Sequence, residues 1–456
     1  MTAINKISHT LIFRGVNIAP LVVFRIIFGA LMLFGAVRFI MKGWVLDNYI
    51  LPDFHFSYLG FEWVDKLPGN WMYLPFIIMI LAAIGMILGA FYRISAVLLF
   101  ISFSYIELID KTYYLNHYYF VSLMLFLLIF IPAHRRFSLD LKLFKLQQWD
   151  EVPAIYRNVI CFLLGVVYFF AGIAKIEYDW LVLAQPLKLW LGKYHHLPLV
   201  GGILANEYVA YVFAYFGLIY DISIPFLLLG KRTRPFAYFF VVSFHIITWL
   251  LFPIGVFPWV MIFSTLIFFP ASFHLKIVER LEAIFMVNDQ SGIAHLKVKS
   301  LYKYFIFLFV IVQLVLPFRY LLYPGNLFWN EEGFRFSWRV MLMHKEGLAT
   351  FYIEDRNTGK QIEIDNSNYL TESQEKQMAT QADFLIQYGH HLYYQFKDTV
   401  LVYGEHQVHL VDPIVRADVK VSLNGRLNQQ FVSKKYNFAD LKYDLKHRTF
   451  LEEFKP

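Results

Sequence analysis

Apolar residues in this chain come in long runs rather than in alternation. About nine runs approach the ~20 residues that a helix needs to cross a bilayer. They lie near 20–41, 72–91, 94–112, 116–133, 155–174, 207–230, 235–252, 256–272 and 303–322. The first is the hardest to end, because Arg38 and Lys42 fall at its outer edge. The eighth is short and follows Pro253 and Pro258, which predicts a bent or partly interfacial segment. After about Pro324 the pattern changes: apolar runs stop and charges become frequent. There, 349–355 and 360–365 flank an Asn-Thr-Gly turn and read as a strand pair. Thr371 and Gln374 form a capping box that opens a helix to about Lys397. The stretches 419–423 and 426–432 flank Asn424-Gly425, a strong hairpin signal. The predicted fold is a polytopic α-helical membrane bundle of about nine spans over 1–323. A β-rich α+β extramembrane domain over 324–456 closes the chain.

Composition supports the membrane reading. Of 456 residues, 58% are hydrophobic and only 16% charged, where soluble domains sit near half and a quarter. The net charge of +7 does not point to nucleic acid, because the basic residues sit in loops. With the N-terminus cytoplasmic, Lys6, Arg14, Arg135, Arg136, Lys231, Arg232, Arg234, Lys276 and Arg280 are among the many inner-side charges. Fewer lie outside, Lys66, Lys111, Lys175, Lys188 and Lys193 among them, which fits the positive-inside rule. The C-terminal domain is then periplasmic in a bacterium or luminal in a eukaryote. The run after Lys6 and Arg14 is too long for a signal peptide and reads as a retained first span. The single cysteine, Cys161, excludes an internal disulfide and a multi-cysteine metal site. His195-His196 lacks a third ligand, and no metal site is expected.

Ionisable groups at membrane depth are expensive and therefore informative. One cluster is Asp110-Lys111-Thr112, followed by Tyr114, Asn116 and His117. An ordinary polar hairpin between helices would carry the same residues. A second runs from Ala171-Gly172 to Lys175, with Glu177 and Asp179 placed to pair or tune the lysine. A snorkelling anchor at a helix end is the plain alternative for Lys175. Gly172 thins the helix surface for a ligand or a neighbouring helix. A third is His245, followed by Trp249, Phe252 and Phe257 around a Pro/Gly-rich turn. The histidine reads equally as a helix–helix hydrogen-bond partner. The rings suit an interfacial belt or the walls of a site for a flat, lipid-like molecule. Beside the outer hairpin, Arg426 offers a fork that fits a carboxylate, or is simply an exposed charge.

In this order the clusters resemble the vitamin K-dependent gamma-glutamyl carboxylase family, in its bacterial-type form with an HTTM-type membrane domain. The stretch I-D-K-T-Y-Y-L-N-H at 109–117 is similar to that family's D-K-T followed by Asn-His. A-G-I-A-K-I-E-Y-D-W at 171–180 is similar to its A-G-x-x-K-x-x-x-D-W segment, whose proposed base maps to Lys175. F-H at 244–245 and L-F-P-I-G-V-F-P-W-V-M at 251–261 follow in order. The resemblance continues outside in L-P-F-R-Y-L-L at 316–322, F-S-W-R-V-M-L at 336–342 and V-S-L-N-G-R-L-N-Q-Q at 421–430. The chain departs from animal members in lacking their disulfide and in being shorter, which puts their propeptide recognition in doubt.

The resemblance implies that quinol oxidation by O2, giving the quinone epoxide, is coupled to γ-proton abstraction from glutamate and CO2 addition. Such a carbon acid lies far beyond a side-chain base: a gap of ~20 pKa units would cost ~27 kcal/mol. The cofactor must therefore carry the hard step. The protein has only to deprotonate a quinol hydroxyl, which a lysine can do when neutral, and an apolar membrane edge favours that form. On this reading Lys175, His117 and Asn116 are catalytic. Asp110, Tyr114, His245, Trp249, Phe252 and Phe257 bind the quinol, either vitamin K hydroquinone or menaquinol. Arg426, Trp338 and His344 hold a Glu-containing peptide, and no metal takes part. Two alternatives stay open: a quinol epoxidase without protein carboxylation, and a non-enzymatic membrane sensor or transporter for lipid or peptide.

Overall fold

The computed structural model describes residues 12–286, 292–403 and 406–456; Lys6, one of the inner-side charges above, lies outside them. Seven described helices are long and apolar enough to cross a membrane: Ala19–Met41, Gly69–Leu88, Tyr92–Ile109, Ile155–Ile173, Glu207–Leu229, Arg234–Leu251 and Ser300–Leu322. Their outward faces carry large apolar side chains such as Leu81, Val212, Phe226, Phe239 and Phe307, all more than 60% exposed. That is a surface for lipid.

The other two expected spans are modified. Asn116–Phe130 has 15 residues, a length of ~22 Å at 1.5 Å per residue, short of a ~30 Å hydrocarbon core. It ends because Ile131 precedes Pro132 and is extended. The eighth, Phe257–Phe268, breaks at Pro270 and turns by 107° into Ala271–Ile284. That second arm carries Lys276, Glu279 and Arg280 on one side and buries His274 and Val278 on the other, as an interfacial helix does. By length and hydropathy alone, seven described helices qualify as spans, or eight with the bent pair, where the sequence suggests about nine.

Polar connections gather at the two ends of the bundle. At one end, Gly15–Asn17, Trp149–Pro153 and Ile293–Ala294 form a small sheet. Nearby, buried Arg25 donates to the carbonyls of Ala133 (3.0 Å) and Phe137 (2.6 Å), and Arg136 pairs with Asp150 and Glu282. At the other end sits the C-terminal domain. Its antiparallel sheet runs in the order Gln361–Ile364, Lys345–Glu354, Ile414–Leu423, Gln429–Gln430. Asn424 and Gly425 both take positive φ (53° and 79°), as a tight hairpin turn requires.

The capping box at Thr371 forms as expected. The helix it opens, however, is two helices, Glu372–Met378 and Ala382–Phe396. Lys345 Nζ takes the Thr380 carbonyl at 2.6 Å, and the Thr380 hydroxyl turns back on the Gln377 carbonyl. Both compete with helical hydrogen bonds. Phe351 of the sheet meets Tyr388 of the second helix edge-on, with ring centres 4.9 Å apart. The core of this domain also takes in Trp180, Leu187, Leu191, Ala210 and Ala214 from the bundle. The two parts therefore share a packed interface at this end of the bundle.

Candidate active site

The Ile155–Ile173 and Glu207–Leu229 helices approach closely at Gly172. A Cβ there would lie 2.6 Å from Ile222 Cγ1 and 2.9 Å from its backbone nitrogen, so any side chain would force the helices apart. That approach lets Lys175, just past the first helix, reach Asp221 in the middle of the second. The Nζ–Oδ2 distance is 2.6 Å, and both side chains are 7% exposed. Lys175 Nζ also donates to the Ala171 carbonyl at 3.1 Å and lies 5.3 Å from the centre of the Trp180 ring.

Lys175 and Asp221 border a cavity whose envelope, counting its open mouth, is about 790 Å³. The walls are otherwise mainly apolar and aromatic, with Phe213, Phe244, Phe252 and Phe257 among them. Few polar groups face it. His245 shares a 2.9 Å hydrogen bond with Tyr168 through Nε2, while its Nδ1 has no partner among the described residues. Val340 and Met341 of the outer segment form part of its wall. Between Phe336 and Met341 the chain takes positive φ at Phe336, Trp338 and Met341. Such backbone costs of order 1–3 kcal/mol per residue and persists only where the surroundings impose it.

Those surroundings include several of the expected site residues. Asn116 Nδ2 donates to the Arg339 carbonyl at 2.6 Å. The Tyr114 hydroxyl donates to Asn116 Oδ1 (3.0 Å) and accepts from the Phe336 amide (2.7 Å). Trp338 is buried and stacks on Tyr119, with ring centres 4.9 Å apart. His344 accepts from the indole of Trp190, whose ring lines the cavity. Asp110 accepts from the Thr112 amide at 2.9 Å and from Gln374 Nε2 of the outer domain at 2.9 Å. Burial pushes its carboxyl up to about 6, against those hydrogen bonds. Asn116, Tyr114 and Asp110 thus bind protein rather than face the cavity.

Lys175, His245, Phe252 and Phe257 do share one cavity. His117 stands elsewhere. Its ring meets Phe257 at 5.2 Å, and Phe257 meets His245 at 5.7 Å. His117 lines a neighbouring cavity with Glu107 and Arg38. Trp249 is 46% exposed and packs on Trp259, facing outward.

Two expected pairings are replaced. Lys175 pairs with Asp221, not with Glu177 or Asp179. The Glu177 carboxylate caps its own short helix, and Asp179 receives the Arg426 fork at 2.6 and 2.7 Å, with Asn424 Nδ2 at 2.7 Å. Burial alone would raise the Asp179 carboxyl. Those donors outweigh it and hold it below its usual range. In this arrangement the Arg426 fork is filled by the chain's own carboxylate.

Comparison with known families matches residues 13–273 to the HTTM domain and residues 298–455 to the vitamin K-dependent gamma-carboxylase lumenal domain. The chain belongs to the vitamin K-dependent gamma-carboxylase family. No solved structure matches it. Membership fits both halves seen above, a membrane bundle and an outer domain of the lumenal type. Sequence reasoning missed Asp221 and Tyr168. Asp221 carried a signal, as an acid in the middle of an apolar run.

Proposed function

We propose that this family member oxidises a quinol, vitamin K hydroquinone or menaquinol, with O2 to its epoxide, and uses that chemistry to carboxylate glutamyl side chains. The observation that carries the reading is Lys175 beside Asp221 at the edge of an aromatic cavity. A flat, lipid-tailed ring fits this lining, because the walls are mainly apolar and aromatic and few polar groups interrupt them. When bound, the quinol and O2 supply the strong base that glutamate γ-deprotonation needs. The chain's own part is smaller. Only an uncharged amine accepts a proton, and the Asp221 carboxylate at 2.6 Å is where an ammonium proton can go. Lys175 then takes the quinol hydroxyl proton. Val340 and Met341 shield the site from water on the outer side. Trp338 and His344 flank the segment where a peptide glutamate would arrive. In this reading the N-terminus is cytoplasmic and the outer domain periplasmic or luminal.

Purified protein given reduced vitamin K, O2 and labelled bicarbonate is expected to form quinone epoxide and to fix label into a Glu-containing peptide. Absence of both products from folded protein refutes the reading. A second reading, epoxidation without carboxylation, is favoured by one observation: Arg426 is closed on Asp179 and not open to a substrate carboxylate. Epoxide without fixed label across a broad peptide panel selects it.

A further inference from the structure

At the end of the bundle opposite the C-terminal domain, a groove runs between the start of the Tyr92–Ile109 helix and the connection that follows Asn116–Phe130. Its walls are mostly apolar, with Phe91, Ile94, Pro132, Phe144 and Trp149 among them. Phe91 and Phe144 are exposed and meet edge-on, with ring centres 5.5 Å apart. Ile94 is followed by Leu98 and Ile101, which are also exposed. That spacing puts all three on one face of the helix. The groove therefore opens onto an apolar stripe of a span, beside exposed aromatics of the kind that line membrane interfaces.

Two arginines, Arg93 and Arg135, line the same groove. Neither forms an ion pair among the described residues, whereas their neighbour Arg136 takes both Asp150 and Glu282. Arg93 spends one donor, on the Ile129 carbonyl. Arg135 spends one, on the Gln147 carbonyl at 3.5 Å. The other N–H groups of both forks bond nothing among the described residues, and Arg135 Nε is buried without a partner. His134, in the same wall, is 7% exposed, and its Nδ1 also lacks one. Buried polar groups are nearly always paired in folded proteins, so two single ones in one wall mark a place for a polar guest.

The charge does not balance either. Asp140 lines the groove, and its carboxylate accepts from the backbone amides of Phe91 and Tyr92 at 2.6 and 2.9 Å. Nearby, buried Arg25 bonds carbonyls only. Three arginines thus meet a single carboxylate. Outside the groove, Glu151 is outnumbered by Lys142, Lys145 and Lys297, all exposed. His134 registers the excess: burial, Arg93, Arg135 and Arg25 together hold its imidazole down at about 3. Burial and Arg93 lower Arg135 as well, against Asp140.

We propose that this groove binds an anionic phospholipid, its phosphate held by Arg93 and Arg135 and an acyl chain laid along Ile94, Leu98 and Ile101. A phosphate takes charge-assisted hydrogen bonds from both forks. The Trp149 ring, its centre 4.5 Å from the Arg135 guanidinium carbon, steadies one of them. A free phosphate would answer the charge and leave the apolar stripe uncovered, so the occupant is a lipid. The site stands apart from the Lys175 cavity and does not rest on the quinol reading.

The test is lipid binding to the delipidated full-length protein in a neutral detergent, read by native mass spectrometry as lipid adducts. The probes are phosphatidylglycerol, phosphatidylcholine with the same acyl chains, and sodium phosphate. Phosphatidylglycerol is expected to bind about fivefold or more tightly than phosphatidylcholine, whose choline cancels the phosphate charge. Arg93→Gln and Arg135→Gln should each weaken phosphatidylglycerol by about fivefold and leave phosphatidylcholine unchanged. Lys231→Gln, at an exposed basic residue of another loop, should change neither. Arg93 is exposed, so its variant carries the test should Arg135→Gln fail to fold. Equal affinity for the two lipids overturns the inference. So does phosphatidylglycerol binding that folded Arg93→Gln leaves unchanged, or that Lys231→Gln weakens as much. Sodium phosphate binding as tightly as phosphatidylglycerol makes the guest a free anion and overturns it too.

Discussion

At the scale of single residues, Lys175 and Asp221 act as one unit, and a variant series can separate structure from chemistry. Lys175→Met leaves a lone buried carboxyl and is expected to cost ~3–5 kcal/mol of stability. Adding Asp221→Leu should restore most of that, because replacing both members of a buried pair is often close to neutral. Epoxide formation should stay ~10²–10⁴-fold down in both. Lys175→Arg keeps the charge but gives a group that does not deprotonate, and should be equally inactive. Thermal unfolding and epoxide assays run side by side decide the matter. Near-native turnover in the arginine variant would end the assignment of Lys175 as the base. The sequence pointed to Lys175 through its helix-end position and its motif. It could not show the partner, which lies 46 residues away on another helix, because nearby acids at 177 and 179 offered an equally good pairing on paper. Arg426 went the same way: its fork was legible, but the acid that fills it is 247 residues distant.

At the scale of elements, the outer hairpin is what couples the two halves beside the site. Its Asn424 and Arg426 both hold Asp179, and Gly425 lies within reach of Leu189, 3.3 Å from a would-be Cβ. Asp179 has a depressed pKa in the fold. Its stabilising effect is therefore present above the unfolded value, ~3.9, and lost as pH falls through the folded one. Asp110 works in the opposite sense. With its carboxyl raised to about 6, the folded state holds the proton more tightly, so stability rises as pH falls from about 6 toward 4. Asp179→Asn should cost about 1–3 kcal/mol at neutral pH and flatten the loss of stability below about pH 4. Unfolding midpoints from pH 3 to 7 test this, and an unchanged acid limb would show that the clamp contributes nothing. Local signals foretold this hairpin and the capping box at Thr371, since both depend on residues a few positions apart. The break at Thr380 was not legible. It depends on Lys345, a residue from a strand, taking a carbonyl that the helix would otherwise use.

At the scale of the whole molecule, the proposed orientation of the bundle rests on the charge asymmetry of its loops. Cys161, partly buried within a span, is the lone native thiol, so single cysteines can report on sidedness. In sealed vesicles facing outward as the cell does, Lys376→Cys should react with a membrane-impermeant maleimide. Lys231→Cys should react only after permeabilisation. The reverse pattern overturns the orientation. Span count was legible only to within the two modified segments, because hydropathy detects apolar length and not a break at Pro270 or an early end before Pro132. The wall contributed by Val340 and Met341 also has a bearing on biosynthesis. The bundle residues that hold Lys175 leave the ribosome first, while the segment that walls the cavity and the hairpin that clamps Asp179 come from the last third of the chain. Domains generally fold in order of synthesis. The pocket therefore stays incompletely walled until the C-terminal domain is made, and a nascent chain stalled before Arg426 would be a membrane protein with an unfinished, leaky cavity.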